Sequence, residues 1–183
     1  MDIIIMKKLL VSVALLSMSS LSALAVEKTN DTVTYDVKRG FAETFSVSQF
    51  EQLGKFRVVL KPIRTSDFDR DKLVLNGISK GLLNADFTIN HTLVNKERTG
   101  VLYTENDTIT MVYTGDPTCE NGLGNIPFEV EETLYILAGT GIYAGVEPGS
   151  FIVLKGVINN CPSLAEFGQN NFDVVGGSVT ITQ

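Results

Sequence analysis

Residues 136–158 read ILAGTGIYAGVEPGSFIVLKGVI, two apolar runs joined by a block that holds Gly139, Gly141, Gly145 and Gly149. Glycines this dense let a backbone take positive φ, bend sharply or pass close to a neighbouring strand. The Val, Ile, Tyr and Phe around them suit a pleated, half-buried surface. The stretch predicts two antiparallel strands meeting at a corner, with Gly156 easing a second bend.

The same chemistry runs along the chain. Apolar side chains alternate with period two rather than at helical spacing. Strands are expected at 32–38, 41–47, 55–63, 73–79, 84–95, 99–104, 107–114, 128–137, 150–158 and 172–181, and 46–53 admits a helical turn. Val33, Tyr35 and Val37 share one face, and Phe41, Glu43, Phe45 and Val47 another. Phe56, Val58 and Leu60 point one way, with Lys55, Arg57 and Lys61 opposite. Phe87, Ile89, His91 and Leu93 share a face, as do Ile109, Met111 and Tyr113, and Phe128, Val130, Glu132, Leu134 and Ile136. The segments 95–98 and 105–107 read as tight turns, and 115–125 and 159–171 as long loops. Nine or ten strands on short connections make antiparallel neighbours. Open edges invite aggregation, so such a meander closes into a barrel or folds as a sandwich. One-faced alternation and glycines at bends favour an all-β, antiparallel, closed barrel of eight strands or slightly more, in one domain over residues 26–183.

The glycine corner carries a resemblance. Residues 138–145, followed by Gly149 and a strand, resemble the Gly-rich corner of the allene oxide cyclase and dirigent-like barrels. Glu132 to Gly139 before it and the closing Gly176-Gly177 strand are also similar. Ala138 stands where that pattern has its first Gly, and the spacing after Ala144 differs. The resemblance covers about the last hundred residues. It implies an eight-stranded antiparallel barrel of calycin type with a central lipophilic cavity. The corner is architectural, so it implies no catalytic residue, and no stretch maps onto the cyclase active site.

The first 25 residues read as a signal peptide of bacterial style. Lys7 and Lys8 precede an apolar run, and Ala23-Leu24-Ala25 fits small-x-small cleavage. The run falls short of the roughly 20 residues a membrane span needs. The expected address is secreted or periplasmic, with no membrane insertion after cleavage near Ala25. Cys119 and Cys161 are the only cysteines, and an exported chain with an even count predicts one disulfide. If 107–114, 128–137 and 150–158 run up, down and up, both cysteines lie beyond strand ends on the same rim. The chain has 15 basic and 21 acidic residues and a formal charge of −6, with no basic cluster, which argues against a nucleic-acid partner.

In a closed barrel the informative residues are polar ones on the inward face, because a buried polar group must be paired or useful. The alternation gives Glu43, His91, Tyr103, Tyr113 and Glu132 as candidate ligand-binding residues, with Lys155 a weaker one. His91 is the only histidine. Beside a carboxylate it would serve as an acid/base near neutral pH. Glu132, among Phe128, Val130, Leu134 and Ile136, reads as a carboxyl with a raised pKa. The plainer reading is that the two simply hydrogen-bond each other or the backbone at a barrel end. The disulfide removes the thiols. A single histidine makes no usual zinc or iron site, and no cofactor is expected. Residues 67–71 open like a calcium loop, but Lys72 and Ile78 stand where such a loop needs Gly and Glu, so they read as a solvated acidic loop. Gly139-Thr140-Gly141 is followed by no Lys and no helix, so it is not a phosphate loop.

These features predict a non-enzymatic exported module that binds a small apolar ligand or a protein partner, itself included. The runner-up is an isomerase or cyclase that works on a lipophilic substrate through His91 and Glu132. An envelope or adhesion-type structural protein is the third class.

Overall fold

The computed structural model describes residues 31–63, 72–119 and 126–182. Residues 1–25, expected as a signal peptide, and 67–71, expected as an acidic loop, lie outside the described residues. Nine strands follow one another: β1 (Thr32–Ser48), β2 (Glu51–Pro62), β3 (Leu73–Leu83), β4 (Ile89–Asn95), β5 (Gly100–Thr104), β6 (Thr108–Thr114), β7 (Phe128–Gly141), β8 (Phe151–Ile158) and β9 (Gln169–Thr182). Every pairing is antiparallel between chain neighbours, apart from β9 with β1 and β5 with β7. Those two pairings close an eight-stranded barrel, with β6 as an extra strand. No helix occurs among the described residues, and the turn expected within 46–53 is the tight β1–β2 connection.

β5 and β6 lie end to end. β5 pairs with the second half of β7, from Gly100 opposite Gly141 to Thr104 opposite Ile136. β6 continues along the same edge, from Thr108 opposite Thr133 to Thr114 opposite Glu129. The segment 105–107, expected as a tight turn, is therefore a break in one long strand path. β4 ends level with the break, where Ile89 pairs with Asp107. Beyond it β6 has, among the described residues, a partner on one side only, β7.

The core is the barrel interior. Leu60, Leu75, Leu102, Val130, Ile152 and Val179 are all but inaccessible, each stabilising by roughly 1.5–3 kcal/mol on burial. Two one-residue bulges decide which side chains reach it. β1 carries an extra residue around Lys38 relative to β2, and β9 carries one around Val175 relative to β8. A bulge exchanges the two faces of a strand. Tyr35 and Val37 point in, but after the bulge Ala42 and Thr44 do, and Phe45 and Val47 are exposed. The same change occurs in β9 between Val174 and Val179. Gly177 there has φ +131, and a Cβ on it would lie 2.3 Å from the Phe151 carbonyl oxygen.

The glycine corner is the β7–β8 connection. Gly141, Gly145 and Gly149 have positive φ. The loop folds under the barrel, where Tyr143 and Val146 join the core and Val146 bridges to Ile181. Burial pushes the Tyr143 phenol pKa up to about 12, with the charge of Glu97 adding to it. Gly139 is needed because a Cβ there would meet the Tyr143 carbonyl oxygen at 2.1 Å. Gly156 lies within β8 without positive φ, and a Cβ there would strike Asn171 O at 2.0 Å, so it serves the close approach of β9. This end of the barrel is thus plugged. The other rim is formed, among the described residues, by 49–50, 84–88, 115–119, 126–127 and 159–168. There Cys119 and Cys161 are bonded with a Cα–Cα distance of 5.3 Å, as the strand directions predict. A disulfide is compatible with an oxidising compartment. Among the described residues no helix is long and apolar enough to cross a membrane.

Candidate functional site

At the rim opposite the glycine corner the barrel opens into a cup of about 880 Å³. Its wall is largely apolar and includes Phe45, Phe87, Ile89, Ile109, Phe128, Ile158 and Phe167. Ser46, Ser48, Gln49, Asn159 and Asn160 edge its mouth, and Asp107 and Glu132 reach it from below. A concave apolar space of this size with few convergent polar groups is the usual form of a small-molecule site.

Asp107 organises the floor. Where β5 breaks, the backbone N–H of Tyr135 on β7 has no strand carbonyl opposite it. Asp107 Oδ1 accepts that N–H at 2.7 Å. Oδ2 accepts the Thr104 hydroxyl and the His91 ring Nδ1–H, the latter at 2.7 Å. A carboxylate accepts on both oxygens, so this fixes the proton on His91 Nδ1. The Thr104 hydroxyl in turn accepts the His91 backbone N–H at 2.8 Å. His91 lies beneath the cup with its ring against β3. Gly81 stands opposite, where a Cβ would come 3.0 Å from Nε2.

Glu132 lies on β7 between Ile109 of β6 and Leu154 of β8. It is 3% exposed, and its Oε1 is buried with no hydrogen-bond partner. Burial raises its pKa, the charge of His91 opposes this, and that of Asp107 adds to it. For His91, burial works against the imidazolium. The Asp107 hydrogen bond and the charges of Glu132 and Asp107 outweigh it and raise its pKa. Below the cup there is thus a paired Asp107–His91 unit beside a carboxyl whose charged form is poorly solvated. Such a cluster can hold or move one proton at the bottom of an apolar space. Among the described residues no three His, Cys, Asp or Glu side chains are arranged to hold a metal ion.

Two of the residues expected inside, His91 and Glu132, are there together. The other three are not. Glu43 follows the β1 bulge, so it points outward and pairs with Lys55 at 2.8 Å. Tyr103 is on the outer face because Leu102 and Thr104 take the inner positions of β5. Tyr113 lies on β6, where bulges on either side of Met111 and Val112 disturb the alternation. It is exposed and donates to Glu131 Oε1 at 2.6 Å. Lys155 joins this outer group, its Nζ 3.8 Å from the Tyr113 ring centroid. Phe87, expected on the inner face of β4, sits in the preceding turn with φ +67, 81% exposed at the cup mouth. Asp107 was not among the expected site residues. Glu105-Asn106-Asp107 is also a fitting hairpin turn, and only a parity slip between Thr104 and Ile109 hints at a bulge.

Comparison with protein-family models, with curated proteins and with solved structures gives no significant match.

Proposed function

We propose that this chain is an exported binding module that holds a small lipophilic molecule in the cup at its open rim. The observation that carries this reading is the cup itself: about 880 Å³ walled mainly by apolar side chains, with one buried, unpartnered carboxyl oxygen at its floor. A barrel filled by its own side chains would have no such space. The disulfide braces the mouth, since it links 115–119 to 159–168, and Asn160 Nδ2 also donates to Asp116 O at 2.7 Å between the same two segments. The signal-like first 25 residues and the disulfide together support export. Kinship with the allene oxide cyclase and dirigent-like barrels remains our proposal, supported by the corner motif and an eight-stranded closed barrel.

A second reading is an isomerase or cyclase, favoured by the Asp107–His91 pair beside Glu132, an acid and a base within one apolar site. Docking of a protein partner or a second copy draws support from β6, whose seven residues carry no charge and whose outer edge is unpaired among the described residues.

The test is titration with the neutral fluorophore Nile red. Expected are saturable one-to-one binding, a loss of at least tenfold in affinity for Ile109→Trp and for Ile158→Trp, and no change for Tyr103→Ala on the outer wall. No saturable binding, or binding indifferent to both tryptophans, overturns the reading.

A further inference from the structure

We infer that the ligand is a lipophilic amine, its apolar body against the cup wall and its ammonium head on the Glu132 carboxyl. The inference rests on the binding-module reading and adds to it the charge of the ligand.

Four observations lead here. Glu132 lines the cup, is all but fully buried, and leaves Oε1 without a donor. A buried acceptor left unmet costs about 1–3 kcal/mol, and a ligand N–H would remove that deficit. Second, none of the described residues lining the cup is Lys or Arg, while Asp107 and Glu132 both line it. Third, the described parts of the mouth connections carry Asp86, Asp116 and Glu166 and no basic residue. Acidic groups around a low-dielectric cleft focus an attractive field on cations. Fourth, the basic group near the floor among the described residues is already engaged. His91 gives its Nδ1–H to Asp107, so Glu132 has no hydrogen-bonded basic partner of its own. A ligand ammonium supplies both the missing donor and a positive charge. A ligand carboxylate would find two carboxyls and no basic side chain in the cup. A neutral alcohol could satisfy Oε1 but brings no charge.

The experiment uses three probes with one chain length, decylamine, decanol and decanoate, each measured at pH 7 by displacement of Nile red and by calorimetry. The expected order is decylamine first, at least tenfold tighter than decanol, with decanoate weakest. Glu132→Gln, of nearly the same shape, should bring decylamine to within about threefold of decanol. The ranking needs only the wild-type chain, so a poorly folding variant does not remove the test. If decanol binds and decylamine is no tighter, or decanoate binds best, the inference is overturned and the lipophile cup stands. If none of the three displaces Nile red and Nile red itself does not saturate, the cup reading falls with it. An amine preference that Glu132→Gln leaves intact also overturns the inference.

Discussion

Replacing Asp107 with alanine should show how much of the barrel depends on the break between β5 and β6. The side chain is fully buried and receives three donors: the Tyr135 N–H, the Thr104 hydroxyl and His91 Nδ1. Alanine leaves the Tyr135 N–H unmet, at about 1–3 kcal/mol. It also strips a buried histidine of its counter-charge, and removing one partner of such a pair costs about 3–5 kcal/mol. The histidine escapes part of that by losing its proton, so the expected net loss is about 3–5 kcal/mol. Asparagine keeps an oxygen for Tyr135 and offers an N–H₂ to the Thr104 hydroxyl oxygen and to a His91 that has switched tautomer. Its expected loss is less than half that of alanine. The His91 pKa is raised in the wild type, so its contribution to stability is complete below the ordinary value of 6.5 and is lost as pH rises through the folded value. The alanine deficit should therefore be larger at pH 6 than well above the folded value. Urea unfolding with the disulfide intact gives the free energies. The single histidine gives one resolved ring signal for an NMR titration, and its midpoint should fall in both variants. An alanine variant within about 1 kcal/mol of wild type, or a midpoint unmoved by asparagine, would refute the assigned role of Asp107.

Glu132 should make the protein less stable as pH rises. Its folded pKa is raised, so the stability it lends is full below 4.5 and lost as pH climbs through the folded value. Relative to wild type, Glu132→Gln should gain stability across that window by at most about 1.4 kcal/mol per pH unit; a flat difference in pH-dependent urea melts would contradict this. Serine at both Cys119 and Cys161 opens a bridge spanning 42 residues of sequence. The expected cost is about 4 kcal/mol in the chain-entropy model, with weaker Nile red binding because the two mouth loops come apart, both read without reductant. Gly177→Ala puts a Cβ 2.3 Å from the Phe151 oxygen at φ +131, whereas Gly176→Ala meets nothing within 4 Å. The first should destabilise by roughly 1–3 kcal/mol. The second should be neutral or stabilise by about 0.5–1 kcal/mol. Equal melting temperatures would contradict the assigned bulge.

The barrel was legible because its rule is local. Phe128, Val130, Glu132, Leu134 and Ile136 alternate without interruption in the sequence and all face inward in β7. Phe56, Val58 and Leu60 do the same in β2. Period two fails where one extra residue enters a strand, and nothing local marks that residue. Lys38 and Val175 are ordinary strand residues whose bulges appear only when β1 and β9 are seen against their partners. That single slip carried Glu43 from an expected inward place to the surface. Asp107 escaped for a related reason. Asn106-Asp107 is good turn chemistry, and whether the chain reverses there depends on β7 accepting both β5 and β6 along one edge, a long-range pairing. The disulfide was legible because the chain has only two cysteines and the strand directions, which bulges do not alter, put both on one rim. The cup was not, because its volume depends on how far the rim loops stand from the axis.

Isoleucine methyl NMR offers the sharpest check on the cup, because isoleucines mark both surfaces. Ile89, Ile109 and Ile158 line it, while Ile63, Ile78 and Ile142 are exposed on the outside. Titrated with Nile red, the three cup methyls should shift along one saturating one-to-one curve while the three outer methyls stay in place. Shifts centred on Ile78 or Ile142, or no saturable shift at Ile109 and Ile158, would contradict a ligand site inside the open rim.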